Sequence, residues 1–296
     1  MSVPAIRTPG STLRMLLVAS RPLSWVNTAY PFAAAYLLTA GQIDLTWIIG
    51  TLYFLVPYNL AMYGINDVFD YESDLRNPRK GGVEGALLDR SFHRVTLLAA
   101  IGSNVPFLVL LVLLGSPLSW LVLAVSVFAV VAYSAPGLRF KERPFLDSIT
   151  SSTHFVSPAL YALVLAGADF TSGLWAVLGA FFLWGMASQA FGAVQDVLPD
   201  REGGISSIAT VLGARAVVWF AAAAYLAAGL LMLLAPWPAL LGSLLAVPYL
   251  LNLLPFLSIT DEGSEQANAG WKRFLKLNFL TGFLVTMLLI WYWPSR

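Results

Sequence analysis

The chain has 296 residues, of which 58% are hydrophobic and 11% charged, with 17 Lys and Arg against 16 Asp and Glu for a net charge of +1. Soluble domains carry about a quarter charged residues, so the shortage of charge marks an integral membrane protein. The near-zero net charge gives no case for nucleic acid, and the absence of cysteine excludes a disulfide framework and thiolate chemistry.

No cleavable signal peptide is evident near Arg7 and Arg14, because no small-residue site follows a short apolar core. A membrane-crossing helix needs about 20 mostly apolar residues. Runs of that kind predict nine spans, at about 22–40, 45–65, 95–114, 118–134, 147–166, 172–192, 214–235, 238–257 and 274–293. Proline and glycine sit inside several of them, which membrane helices tolerate. The expected fold class is all-α, a multi-pass membrane bundle.

Charge tests the order of the spans. With nine spans, every Lys and Arg of the 17 except Arg296 falls on one side, and every Asp and Glu of the 16 except Asp44 and Asp169 falls there too. The positive-inside rule makes that side the cytoplasm. The N-terminus is then cytoplasmic and the C-terminus outside, in a cell membrane. Acids contribute little to topology, so their gathering marks the cytoplasmic face as a working surface.

After the second span comes GINDVFDYESDLRNPRKGG, residues 64–82. Asp67, Asp70 and Asp74 are spaced i, i+3, i+7, which on one helix places them within about 60° of arc. Acids so close at a membrane helix end need a cation, and hard oxygens without His or Cys suit Mg²⁺. Mg²⁺ is usually shared with phosphate oxygens, so a phosphorylated substrate is expected. GAVQDVLPDREGG, residues 192–204, answers with Asp196 and Asp200 at i, i+4. The two stretches read as degenerate copies, with Asn66-Asp67-Val68 set against Gln195-Asp196-Val197, each running into a Gly-Gly loop. Two such helix ends on one diphosphate form a clamp. Aromatic faces near the motifs, at Tyr63, Tyr133 and Phe191, could stabilise a cation or simply pack. His154, inside the fifth span, is a candidate proton acceptor. Asn59 precedes Asn66 by seven residues and is expected to face the bundle interior.

NDVFDYESD resembles the N-D-x-x-D-x-x-x-D signature of the UbiA superfamily of intramembrane prenyltransferases. DVLPDREGGISSIATVLG resembles that family's second motif through Asp196, Asp200, Gly204, Ser207 and Gly213, and YSAPGLRFKERP (133–144) its third cytoplasmic element. Ser206 stands where many members carry Lys. More narrowly, SRPLSWVNTAYPF, SSTHFVSPAL, FFLWGMASQ and SEQANAGWK are similar to the actinobacterial lycopene elongases, which make fifty-carbon carotenoids.

The resemblance implies a UbiA-type bundle of nine helices around a single chamber. Residues 1–296 form one domain of two degenerate halves, about 15–166 and 167–296. It further implies two Mg²⁺ ions bridged by substrate diphosphate, one on Asn66, Asp67, Asp70 and Asp74, the other on Asp196 and Asp200. Arg79, Lys80, Arg139 and Lys141 become candidates for phosphate oxygens. Arg21 is a candidate for the same role or for a topology anchor, and Tyr133 for a π face at the reacting carbon. The implied donor is dimethylallyl diphosphate and the acceptor lycopene, extended at each end in turn, with the lipid bilayer as the remaining partner. Two other readings stay open. An aromatic or quinone-precursor acceptor would profit from a basic group deep in a span, and none is present. A Mg²⁺ or phosphate transporter would place ionisable residues near mid-membrane, whereas these acids cluster at one end.

Overall fold

The computed structural model describes residues 9–75 and 88–293, and every regular element among them is helical. Arg79 and Lys80 lie outside the described residues, as does the side chain of Asp74. In chain order the helices are α1 (Pro9–Ala19), α2 (Val26–Ala40), α3 (Leu45–Leu55), α4 (Pro57–Phe69), α5 (Tyr71–Asp74), α6 (Arg90–Leu114), α7 (Pro117–Ser134), α8 (Leu146–Leu165), α9 (Ser172–Val194), α10 (Val197–Glu202), α11 (Ile208–Leu212), α12 (Ala214–Met232), α13 (Ala246–Leu253) and α14 (Ala267–Tyr292).

Among the described residues, seven helical segments are long and apolar enough to cross a membrane: Leu45–Phe69, Arg90–Leu114, Pro117–Ser134, Ser172–Val194, Ala214–Met232, Ala239–Phe256 and Ser264–Tyr292. The expected spans 22–40 and 147–166 are helical but fall outside that set. α2 has 15 residues, about 22 Å of rise, which is short of the hydrocarbon core. α8 has 20 residues but is too polar, carrying Ser148, Thr150, Ser151, Ser152, Thr153, His154 and Ser157. Seven segments thus pass on length and composition among the described residues, and α2 and α8 are helices at the other two expected positions.

The chain divides into two compact units. The first comprises residues 1–139 and 157–168. Its core joins Phe32 and Tyr36 of α2, Tyr53 and Phe54 of α3, Tyr58 of α4, Leu111 of α6 and Tyr161 of α8. α3 and α4 form one span broken at Val56, because Pro57 has no amide to continue the ladder. Inside a membrane the carbonyls released by such a break must find donors. The Thr28 hydroxyl donates to Phe54 O at 2.7 Å. The Asn59 amide donates to Phe54 O at 2.8 Å, to Leu55 O at 3.1 Å and to the Thr28 hydroxyl at 2.7 Å. The Asn104 amide donates to Pro57 O at 2.7 Å. Asn59 is fully buried, as its spacing from Asn66 predicts. This braced break aims α4, whose far end carries the first acidic motif.

The second unit comprises residues 140–156 and 169–296. α9 packs along α12 through small residues, Ala187 and Ala190 against Ala214, Ala221 and Ala224, which lets the two backbones approach. An aromatic group of Trp184, Tyr225, Tyr249, Trp271 and Phe274 fills the space toward α13 and α14.

Candidate active site

In the first unit, Asn66, Asp67 and Asp70 occupy the last turn of α4 and its C-cap. Asp67 is 1% and Asp70 2% exposed, burial that an unpaired carboxylate rarely survives. Each has an arginine. Arg21 donates to Asp67 Oδ1 at 2.9 Å, and its guanidinium lies 4.3 Å from the centroid of the Tyr63 ring. Arg139 stands 3.6 Å from Asp70 Oδ1 and donates to Phe69 O at 3.4 Å. Both arginines adopt left-handed backbone, φ 51° and φ 41°, a conformation that costs a non-glycine residue about 1–2 kcal/mol. Strain of that kind collects at functional sites. Ser134, at the end of α7, donates to Asn66 Oδ1 at 3.4 Å, and Tyr133 beside it is half-buried.

The helix does not carry all three acids on one face. α4 stops at Phe69 and Asp70 is its cap, so Asp74 belongs to the separate short helix α5. This corrects the expectation of a continuous i, i+3, i+7 stack.

In the second unit, Asp196 caps α10 and Asp200 lies one turn on, its amide donating to Asp196 O at 2.9 Å. Asp70 has φ −100° and ψ 0°; Asp196 has φ −101° and ψ 1°. Both sit in the sparsely allowed bridge region where active-site residues recur, each between a long helix and a short one. Counted from that break, Asp74 and Asp200 each follow by four. The matching pair is therefore Asp70 with Asp196, three positions along from the register in which Asn66-Asp67 answered Gln195-Asp196. Gln195 is a strut rather than a second Asn66: it accepts from the Asn268 amide at 2.6 Å and donates to Gly192 O at 3.0 Å.

The segment after Asp200 is tied at several points. Ile205 N donates to Asp200 O at 2.8 Å. Asp147, at the start of α8, accepts from Ile208 N at 2.7 Å. Arg201 donates to Thr210 O at 3.0 Å and to Asp261 Oδ2 at 2.6 Å, while Asp261 Oδ1 accepts from Ala214 N at 2.7 Å. The Ala214 amide and the Arg201 guanidinium hold the Asp261 carboxyl below its usual range, against a smaller opposing effect of burial. Gly213 needs to be glycine, with φ 82° and the Asp261 carboxylate against the place of a Cβ.

Of the expected phosphate-binding residues, Arg21 and Arg139 are brought to the first motif, whereas Lys141 lies half-buried in the turn Phe140–Glu142 of the other unit. His154 is 3% exposed inside α8. His93 is at the start of α6, bonded to Leu88 O and packed edge-on to Tyr71. Asp147 and Asp261 escape a motif search; their only signal in the sequence is an acid standing at the mouth of an apolar run. Among the described residues no three His, Cys, Asp or Glu side chains converge as a metal cage. The donors present at the two motifs are nevertheless all oxygen, with carboxylates aligned at helix ends beside arginines. That chemistry fits Mg²⁺, which is held by one or two carboxylates plus phosphate oxygens rather than by an all-protein cage.

Residues 28–283 match the UbiA prenyltransferase family. The chain is 62% identical over 285 residues to a C(50) beta-cyclic carotenoids biosynthesis protein of a Dietzia species, covering 96% of this chain and 66% of that longer protein. It is 55% identical over 278 residues to a lycopene elongase/hydratase of Corynebacterium glutamicum, covering 94% of this chain and 97% of the relative. Among solved structures, a UbiA homologue of Archaeoglobus fulgidus bound to DMAPP and Mg²⁺ superimposes with a TM-score of 0.65 at 20% identity, over 90% of this chain and 98% of that one, a likeness of fold. By family match and by relatives along nearly its whole length, the chain belongs to the UbiA prenyltransferase family and is a membrane-embedded prenyltransferase.

Proposed function

We propose that the enzyme transfers a dimethylallyl group from dimethylallyl diphosphate to the terminal double bonds of lycopene, giving a C45 and then a C50 carotenoid. The observation that carries the chemistry is the buried Asp67 and Asp70 pair, each matched to an arginine held in left-handed backbone. The names of relatives at 62% and 55% identity carry the acceptor. In this reading Asn66, Asp67, Asp70, Asp74, Asp196 and Asp200 hold Mg²⁺ on the diphosphate. The metal supplies charge neutralisation that makes diphosphate a better leaving group.

Arg21 and Arg139 orient the diphosphate and take up charge as the allylic C–O bond breaks, its electron pair leaving with the bridging oxygen. Lys141, Arg79 and Lys80 are further candidates for those oxygens. Tyr63 and Tyr133 offer π faces to the allyl cation, an interaction worth up to about 2 kcal/mol when desolvated. The terminal double bond of lycopene donates its electron pair to the cation and forms the new C–C bond. The resulting tertiary cation is discharged by losing a proton or by adding water. The N-terminus and both motifs face the cytoplasm in this reading, which puts the acids where soluble prenyl diphosphates are.

Purified enzyme, Mg²⁺, dimethylallyl diphosphate and lycopene are incubated and the pigments read by mass. Products five and ten carbons above lycopene, as alkene or hydrate, support the reading. Unchanged lycopene alongside a prenylated aromatic acid such as 4-hydroxybenzoate would overturn the acceptor.

A further inference from the structure

We propose that Asp147 is a positioning residue for the second acidic motif, fixing Asp200 through the loop that follows it. Asp147 is 1% exposed at the first turn of α8. Its two oxygens accept from backbone amides, Oδ1 from Ser148 N at 2.6 Å and Oδ2 from Ile208 N at 2.7 Å. Ile208 begins α11, which has five residues and is too short to hold itself. Its first turn is satisfied from both sides: Ser207 caps Thr210 N at 3.2 Å, and Asp147 takes the Ile208 amide.

From Ile208 back to Asp200 the chain is closed by Ile205 N on Asp200 O at 2.8 Å, across Gly203 and the left-handed Gly204. Two hydrogen bonds thus run from the rigid start of α8 to the backbone of Asp200. Arg201 and Asp261 brace the same segment from its other flank, but they are 40% and 30% exposed and so contribute less than the buried Asp147. A buried carboxylate is a demanding choice for a cap that Ser or Asn could supply. What it adds is two acceptors on one rigid group, each held by an amide.

The proposal rests on the reading of Asp196 and Asp200 as ligands of metal-bound diphosphate. Asp147→Asn keeps the shape but turns one acceptor into a donor facing an amide. Three quantities are read on the full-length protein in nanodiscs: hydrogen exchange at the Ile208 amide, the Mn²⁺ dissociation constant in the presence of inorganic diphosphate, and the Mg²⁺ concentration for half-maximal turnover. Each is expected to worsen by about tenfold, the size of one lost hydrogen bond to a charged group, with turnover at saturating Mg²⁺ close to wild type. Asp147→Glu, which keeps two acceptors, recovers part of the loss, and it carries the same readouts should the Asn variant fail to accumulate. Faster exchange at Ile208 with both metal constants unchanged would reduce Asp147 to a structural cap and overturn the proposal. Asp200→Asn separates the two failures. If it weakens Mn²⁺ binding while the Asp147 variants do not, only the positioning role falls; if it also leaves Mn²⁺ binding unchanged, the metal reading of the motif falls and this proposal with it.

Discussion

Replacing Arg21 with Ala removes the guanidinium that lies 2.9 Å from Asp67 Oδ1. The Asp67 side chain has no exposure and that of Arg21 is 20% exposed, so water reaches one partner only. Deleting one member of a buried pair costs about 3–5 kcal/mol, because the other charge keeps its desolvation and loses its partner. Partial exposure places Arg21→Ala at the low end, about 3 kcal/mol, to which the lost contact with the Tyr63 ring adds about 0.5–1 kcal/mol. Asp67→Asn leaves an amide rather than a stranded charge and should cost about 1 kcal/mol. In the double variant the penalty for the buried anion disappears, so the two effects should fall short of additive by about 2 kcal/mol. Arg21→Gly gives an internal control. It loses the same charge but not the left-handed strain at φ 51°, so it should be about 1 kcal/mol more stable than Arg21→Ala. Unfolding in mixed SDS micelles, followed by circular dichroism, gives the four values. Additive single and double variants would refute the idea that Arg21 neutralises the buried carboxylate, whatever happens to turnover.

Three further outcomes are expected. Turnover should vanish in EDTA and in Asp70→Ala or Asp196→Ala, and in the wild type it should return with Mg²⁺ but little with Zn²⁺, since the ligand set is all oxygen; metal-independent coupling would sink this, with product mass as the readout. Asn59→Leu removes donors to Phe54 O, Leu55 O and the Thr28 hydroxyl, and should cost about 2–4 kcal/mol in the same micelle unfolding, from buried acceptors left unpaired. Asp261 has its folded pKa below the ordinary 3.8, so its stabilisation is complete above that value and is lost as pH falls through the lower folded pKa. The stability gap between wild type and Asp261→Asn should therefore be open near neutrality and close on acidification through the lowered folded pKa.

The sequence exposed the parts of this molecule that follow from composition and short-range spacing. All-helical architecture, the membrane and both acidic motifs can be read from apolar runs and from acids that should not be there. What could not be read was where helices stop. Asp67, Asp70 and Asp74 look like one face only if the helix continues, and nothing in VFDYESD forbids continuation. At the break, Phe69 O accepts from Arg139, 70 positions away. The same is true of Asp147 and Asp261, which are ordinary acids until Ile208 N and Ala214 N arrive from 61 and 47 positions away.

α8 shows why hydropathy undercounts helices in such a protein. Its Ser, Thr and His residues make it too polar to qualify as a span, yet several of its hydroxyls are matched. Ser152 donates to Phe182 O at 2.6 Å and Ser151 to Gln189 at 3.1 Å in the second unit. In the first, Ser157 donates to Ser126, which donates to the Tyr58 hydroxyl, at 2.7 and 3.1 Å. Close approach makes this possible: a Cβ at Gly185 would collide with Ser152, so α9 presents glycine where α8 presents a hydroxyl. A hydropathy scale charges each of those hydroxyls the full cost of leaving water, about 1–3 kcal/mol without a partner. Here most of that cost is returned by the neighbouring helix, so a polar helix is stable in the bundle although it would be a poor span alone. α2 falls short by length instead, and it too braces a neighbour, Thr28 donating to a carbonyl freed by the broken α3–α4 span. Helices that hold other helices in place can carry polar groups for that task, and α8, whose run at 147–166 the sequence still offers as a span, falls below a strict hydropathy threshold for that reason.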